Sequence, residues 1–143
     1  TSVAKAELAG VIEDADIFEM DLADLKSVDR FVNKFSESEA DLDILINNAA
    51  VMACSQMPTK EGWDLQFAVN HIGHFLLTVG LLPKLTRSEQ ARVVSLSSTG
   101  HKLSGIRWED VHFETSYDKW KSYGQSKTAA SLLAVELDKR MRD

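Results

Sequence analysis

The chain has 143 residues, 44% hydrophobic and 27% charged, which suits one ordinary globular domain. Its 22 acidic and 16 basic side chains give a net charge of −6 and are scattered, with no Lys/Arg block to follow a phosphate backbone, so nucleic acid is not an expected partner. The single cysteine, Cys54, cannot close an internal disulfide and has no Cys/His set at ligand spacing; no metal site and a reducing, cytoplasm-like compartment are expected.

Residues 3–9 are Ala-rich and end at Gly10, the pattern of final helical turns closed by a glycine cap. Ile17, Phe18 and Met20 predict a short strand ending at Asp21. Asp24 offers an N-cap to a helix whose Leu25, Val28, Phe31, Val32 and Phe35 recur at helical spacing. The apolar, branched run 42–46 predicts a buried strand that stops at Asn47-Asn48-Ala49-Ala50. From near Glu61 a long helical pattern carries Trp63, Phe67, Phe75, Leu76, Val79 and Leu82, until Pro83 disturbs it. Its strongly apolar part, 75–82, is far short of the roughly 20 residues a bilayer requires, and residues 1–20 lack a signal-peptide pattern, so no membrane segment is expected. After a polar turn, 92–96 reads as a third strand ending in Ser97-Ser98-Thr99-Gly100. Residues 101–116 have no clean period, and a last helix is expected over 119–142. Trp63, Trp108 and Trp120 read as packing residues, with Trp108 near a substrate entrance; His71 and His74 read as structural or solvent-facing.

Strands alternating with helices of this length predict parallel βαβ units and an α/β fold. Open sheets of this kind bind ligands beyond the carboxyl ends of their strands. Asp21, Asn47 and Ser97/Ser98 end the three strands, so polar residues gather on one rim. Asp21 serves equally as a turn residue, and Asn47 as one that turns the chain after a strand.

Tyr123 and Lys127 stand four apart in the last helix and share a face. An ammonium beside a phenol favours the phenolate, and the pair can act as an acid/base. Tyr117 and Lys121 have the same spacing, but in the charged run Tyr-Asp-Lys-Trp-Lys. Tyr123 is followed by Gly124, Gln125 and Ser126, which leave room for a ligand, and it is the better candidate.

Asn-Asn-Ala-Ala at 47–50, Asn-His-Ile-Gly-His-Phe-Leu-Leu-Thr at 70–78, Val-Ser-Leu-Ser-Ser at 94–98 and Tyr-Gly-Gln-Ser-Lys at 123–127 follow the order found in short-chain dehydrogenases/reductases. The chain resembles that family, and the 70–78 segment resembles its retinol-dehydrogenase-like branch. The resemblance implies a Rossmann-like three-layer α/β/α fold with a parallel sheet, and an NAD(P)-dependent oxidoreductase interconverting an alcohol and a ketone or aldehyde, with a lipophilic substrate. It implies that Tyr123 is the acid/base, that Lys127 binds the nicotinamide ribose, that Ser98 rather than Ser97 holds the substrate oxygen, and that Asn70 supports a water-mediated proton path from Lys127. It further implies that Asn47 and Ala49 border the adenosine part of the cofactor and that Asp21 contacts adenine. The helices over 61–82 and 119–142 pack against a second copy in many relatives, although the chain's own sheet could bury the same faces.

Three departures accompany the resemblance. The family's Thr-Gly-x-x-x-Gly-x-Gly phosphate turn does not occur in these residues, so the expected unit is a single partial dinucleotide-binding domain, 1–143, truncated at both ends. The choice between NAD and NADP is not readable without that region. The usual Asn-Asn-Ala-Gly ends in Ala50, and the gap from Ser98 to Tyr123 is long, which calls for an excursion around 105–116. A noncatalytic dinucleotide-binding or protein-interaction module that kept the fold is the alternative.

Overall fold

The computed structural model describes residues 16–142; the helix expected at 3–9 lies outside them. Asp24 is extended and its carboxylate accepts from Lys26 N at 3.0 Å, starting helix α1 (Leu25–Glu37) where the N-cap predicts. Val28 and Val32, one turn apart, are buried against Leu77 and Leu81 of the next helix. Lys84 closes the far end of α1, its Nζ donating to the carbonyls of Ser38 and Ala40.

The strand expected over 17–20 is not formed. A strand exists through its ladder hydrogen bonds, and no neighbour among the described residues supplies them. Phe18 instead meets Phe31 edge-on, with ring centroids 5.5 Å apart.

Strands β1 (Ile44–Asn47) and β2 (Arg92–Ser95) pair in parallel, with Ile44 opposite Arg92 and Asn47 opposite Ser95. Between them runs helix α2 (Leu65–Leu85). It begins later than the periodicity suggests, because Gly62 at φ +82° and the Thr59 N to Trp63 O bond make 59–63 a turn. Asp64 caps it by accepting from Phe67 N at 3.0 Å. Its middle, Ala68–Gly73, is π-helical, a widening that often marks a functional segment. Gly73 has no side chain where one would stand 2.5 Å from the Leu22 carbonyl oxygen, which brings Asp21 and Leu22 against this bulge.

Pro83 does not end α2, which continues to Leu85. A proline in the last turn removes one backbone bond. Leu81 and Leu85, each 2% exposed, and the tie from Lys84 to α1 keep the turn in place. By length and composition α2 could cross a membrane, which the shorter run 75–82 did not suggest; 56% of its apolar window is buried within this fold.

After β2 comes a 3-10 turn, Thr99–Leu103, then an irregular excursion, then helix α3 (Lys119–Arg140), capped by Asp118, which accepts from Trp120 N and Lys121 N. Gln125 of α3 pins the excursion, accepting from Arg107 N at 2.8 Å and donating to Val111 O at 2.7 Å. Phe113 is fully buried in it at φ +57°, with the Arg107 guanidinium over its ring. The reading of the three tryptophans as packing residues holds for Trp63, which stacks on His112, but not for Trp108, which is 79% exposed, or Trp120, which is about half exposed.

Leu45, Asn47 and Ser95 face α2 and α3, whereas Ile44, Ile46 and Val94 on the other side of the strands are exposed. The described residues therefore form the sheet and one helical layer of the expected three.

Candidate active site

Residues 122–127 of α3 are all buried, wedged between the 3-10 turn and the π-helical part of α2. Two polar pairs make this contact. Gln66 Nε2 donates to Ser122 Oγ at 2.8 Å, and one turn on Asn70 Nδ2 donates to Ser126 Oγ at 2.9 Å. The same two amides hold the loop after β1: Ala53 N donates to Gln66 Oε1, Val51 N donates to Asn70 Oδ1, and Asn70 Nδ2 donates to Val51 O. Buried amides are costly unless bonded, and a satisfied network fixes one arrangement of its members.

Tyr123, 7% exposed, lies with its ring against Gly100; a side chain there would stand 2.6 Å from Tyr123 Cε1 and 3.3 Å from Ser98 Oγ. The Tyr123 ring and the Ser98 hydroxyl thus flank one point. Ser98 Oγ accepts from Gly100 N at 3.1 Å, which orients a lone pair and leaves its hydrogen free to donate. Ser97 is engaged elsewhere, 2.8 Å from Ser131 Oγ. Lys127 Nζ stands 6.0 Å from the Tyr123 ring centroid and donates to Leu96 O at 2.9 Å. Burial holds this ammonium below the usual lysine range.

Tyr117 has a different position. Its hydroxyl donates to Cys54 O and accepts from Gln66 Nε2, and burial pushes it above the usual phenol range. It closes the network rather than facing an opening.

The room attributed to Gly124, Gln125 and Ser126 admits the chain itself and not a ligand. A side chain at Gly124 would come within 2.8 Å of Gly100 O and 2.9 Å of Ser104 N. Ser126 donates to Tyr123 O and accepts from Asn70. A Gly→Ala change inside a helix ordinarily stabilises by about 1 kcal/mol. Here backbone atoms block the methyl, so we expect Gly124→Ala to cost roughly 1–3 kcal/mol in urea unfolding. Equal or higher stability would contradict this close approach.

Of the other residues on the predicted rim, Asp21 is exposed and its carboxylate accepts from Ala23 N at 2.9 Å. Ala49 is exposed beyond β1. Asn47 is turned inward, 4% exposed, with Nδ2 donating to Thr78 Oγ1 at 2.9 Å, because strand alternation points it, like Leu45, at α2. Gln66, Ser126 and His74 were not foreseen as part of this centre. Polar residues four apart in an otherwise apolar helix, matched by serines four apart in α3, are the signal that could have found the first two.

A family profile described as short chain dehydrogenase matches residues 2–143. Human retinol dehydrogenase 13 is 45% identical over 124 residues, which cover 86% of this chain and 38% of that protein. Mouse retinol dehydrogenase 11 is 41% identical over 142 residues, covering 98% of this chain and 45% of that protein. Among solved structures, an uncharacterised protein from Mycobacterium paratuberculosis superposes with a TM-score of 0.82 at 39% identity, over 97% of this chain and 50% of that one. A metagenomic short-chain oxidoreductase in complex with NADP superposes at 0.72 with 19% identity, over 99% and 60%, and shares the fold. The chain spans less than half the length of these two retinol dehydrogenases.

Proposed function

The chain belongs to the short-chain dehydrogenase family, and on that premise we propose that the protein carrying it is an NAD- or NADP-dependent oxidoreductase interconverting an alcohol and a ketone or aldehyde. The observation that carries this reading is the meeting of the Tyr123 ring and the Ser98 hydroxyl at Gly100, with Lys127 behind the phenol. These groups stand beyond the carboxyl ends of two parallel strands, where α/β sheets hold ligands.

The residues present fit a nicotinamide nucleotide. Lys127 commits one of its three N–H groups to Leu96 and keeps two, enough for vicinal ribose hydroxyls. Ala49 offers an exposed, narrow surface after β1 for the adenosine part, and Asp21 a carboxylate on the same rim. Asn47 contributes by fixing β1 against α2 rather than by touching the nucleotide. When bound, the nicotinamide supplies or receives the hydride.

The chain's own groups handle the proton. In the reducing direction Ser98 donates to the substrate carbonyl oxygen and polarises it, and the Tyr123 hydroxyl delivers its proton to that oxygen. The charge of Lys127 stabilises the phenolate left behind. Asn70 holds α2 and α3 at the spacing that keeps Lys127 beside Tyr123, and supports the proton path from Lys127. Exposed Met52, Leu103 and Trp108 lie on the segments around this centre, which favours a lipophilic substrate. The relatives named retinol dehydrogenase agree with that choice. The 143 residues then represent the middle of one dinucleotide-binding domain.

The test is oxidation of NADH and NADPH by the full-length protein with a panel of aldehydes and ketones of increasing chain length. We expect turnover that improves with chain length. Cofactor binding without turnover across the panel would favour a noncatalytic dinucleotide-binding module.

A further inference from the structure

Ser98 stands between β2 and the 3-10 turn Thr99–Leu103, and its hydroxyl caps that turn at Gly100 N. A 3-10 helix has poor internal hydrogen bonds, so the place of Ser98 depends on what fastens the turn from outside. Two hydroxyls of α3 do so, three positions apart and hence on one face. Upstream, Ser131 donates to Lys127 O, which makes Ser97 the donor in its 2.8 Å contact with Ser131 Oγ. Downstream, Thr128 Oγ1 donates to Ser104 O at 2.7 Å and lies 3.1 Å from His101 O. His101 is bound in turn to Ser98, its backbone N donating to Ser98 O at 3.1 Å and its ring Nδ1 standing 2.6 Å from the same oxygen. A hydroxyl inside a helix often bonds the carbonyl one turn back, as that of Ser131 does. Thr128 reaches across to another segment, and the bare Cα of Gly124 lets that segment come close enough to be reached.

We propose that Thr128 is a positioning residue for Ser98, its hydroxyl holding the 3-10 turn on α3 so that the Ser98 hydroxyl and the Tyr123 ring meet at one point. The proposal rests on the reading of Ser98 as the group that holds the substrate oxygen. Ser98 is suspended between two ties, Ser97 to Ser131 and the turn to Thr128, and both ties end on the helix that carries Tyr123. The distance between donor and acid is therefore set within one helix and the turn strapped to it. Such distances matter, because a misplacement of about 1 Å in a reacting constellation can lower a rate 10²-fold. Thr128 follows Lys127 in the chain, yet the two side chains hold different things. Lys127 Nζ is bonded to Leu96 O, at the end of β2, and Thr128 takes no part in that bond. Loss of the Thr128 hydroxyl frees the far end of the turn and leaves the ammonium where it is.

Two variants of the full-length protein test this. Thr128→Val keeps the branched shape and removes the hydroxyl; Thr128→Ser keeps the hydroxyl and removes the methyl. The first measurement is amide hydrogen exchange by NMR. In Thr128→Val we expect roughly tenfold faster exchange at Gly100 and His101, whose amides are bonded to Ser98, the factor that one hydrogen bond accounts for. Exchange along α3 should stay as in the wild type, and Thr128→Ser should restore the two rates. Unchanged rates at Gly100 and His101 in Thr128→Val, or an equal rise along all of α3, would overturn the proposal. This readout needs no turnover, so it decides the proposal even where the oxidoreductase reading fails. The second measurement is kinetic. We expect Thr128→Val to lower kcat for a carbonyl substrate roughly tenfold at unchanged affinity for NADH or NADPH, and Thr128→Ser to recover most of it. A fall in cofactor affinity would place the effect on Lys127 and sink the idea, as would equal losses of kcat in both variants or wild-type kcat in an active Thr128→Val protein.

Discussion

Tyr123→Phe in the full-length protein is expected to lower kcat by about 10²–10⁴-fold or more, the range for removing a general acid/base, while affinity for NADH or NADPH stays within about twofold. The change deletes one oxygen from a ring whose carbon atoms rest against Gly100, so packing is retained and only the proton donor is lost. Tyr117→Phe is the informative control. That hydroxyl bonds Cys54 O and Gln66 Nε2, so its loss should cost stability, about 1 kcal/mol, and little turnover. Steady-state kinetics beside a cofactor-binding titration separates the two. Were Tyr117→Phe the inactive variant and Tyr123→Phe the active one, the assignment of the acid/base would be wrong.

The largest effect on stability is expected from Asn70→Ala. Its amide closes three bonds, from Val51 N, to Val51 O and to Ser126 Oγ, in a position 1% exposed. Truncation leaves the half-buried Val51 amide and carbonyl without their partner, while the Ser126 hydroxyl keeps its bond to Tyr123 O. At about 1–3 kcal/mol for each group left unpaired, a loss of roughly 2 kcal/mol is the lower end of the expected range. Ser126→Ala removes one of these bonds and should cost about 1 kcal/mol. Denaturant unfolding of both variants checks the ratio; equal losses would mean that the ties to the loop after β1 contribute nothing. The variant should also lose turnover, because the same bonds set the distance between α2 and α3 and hence where Lys127 stands.

Much of the centre was legible because its signals are local. Asp24 stands one residue before α1 and caps it, and helical periodicity located Val28 and Val32 on its buried face. The Tyr123–Lys127 spacing is likewise a property of one helix. Where reasoning along the chain failed, the deciding partner was distant in sequence. Pro83 is tolerated because Lys84 reaches back to Ser38 and Ala40, and 17–20 is not a strand because no other segment pairs with it. The direction of the Asn47 side chain, toward Thr78, is set by a helix residue 31 positions away.

By itself, the sequence determined the α/β alternation, the starts of α1 and α3, and the shared helical face of Tyr123 and Lys127, since these depend on contacts within a few residues of each other. Only the tertiary structure shows how the partners of Ser97 and Ser98, and of Tyr117 and Tyr123, differ. In both cases two like groups sit close together in the chain, and one of each is taken by a partner 34 or 63 residues away, Ser97 by Ser131 and Tyr117 by Cys54, while Tyr123 rests against Gly100. The glycine after Tyr123 is explained in the same way. Gly124 lacks a side chain because the backbone at 100–104 packs against it, a requirement that exists only once the chain has folded back on itself.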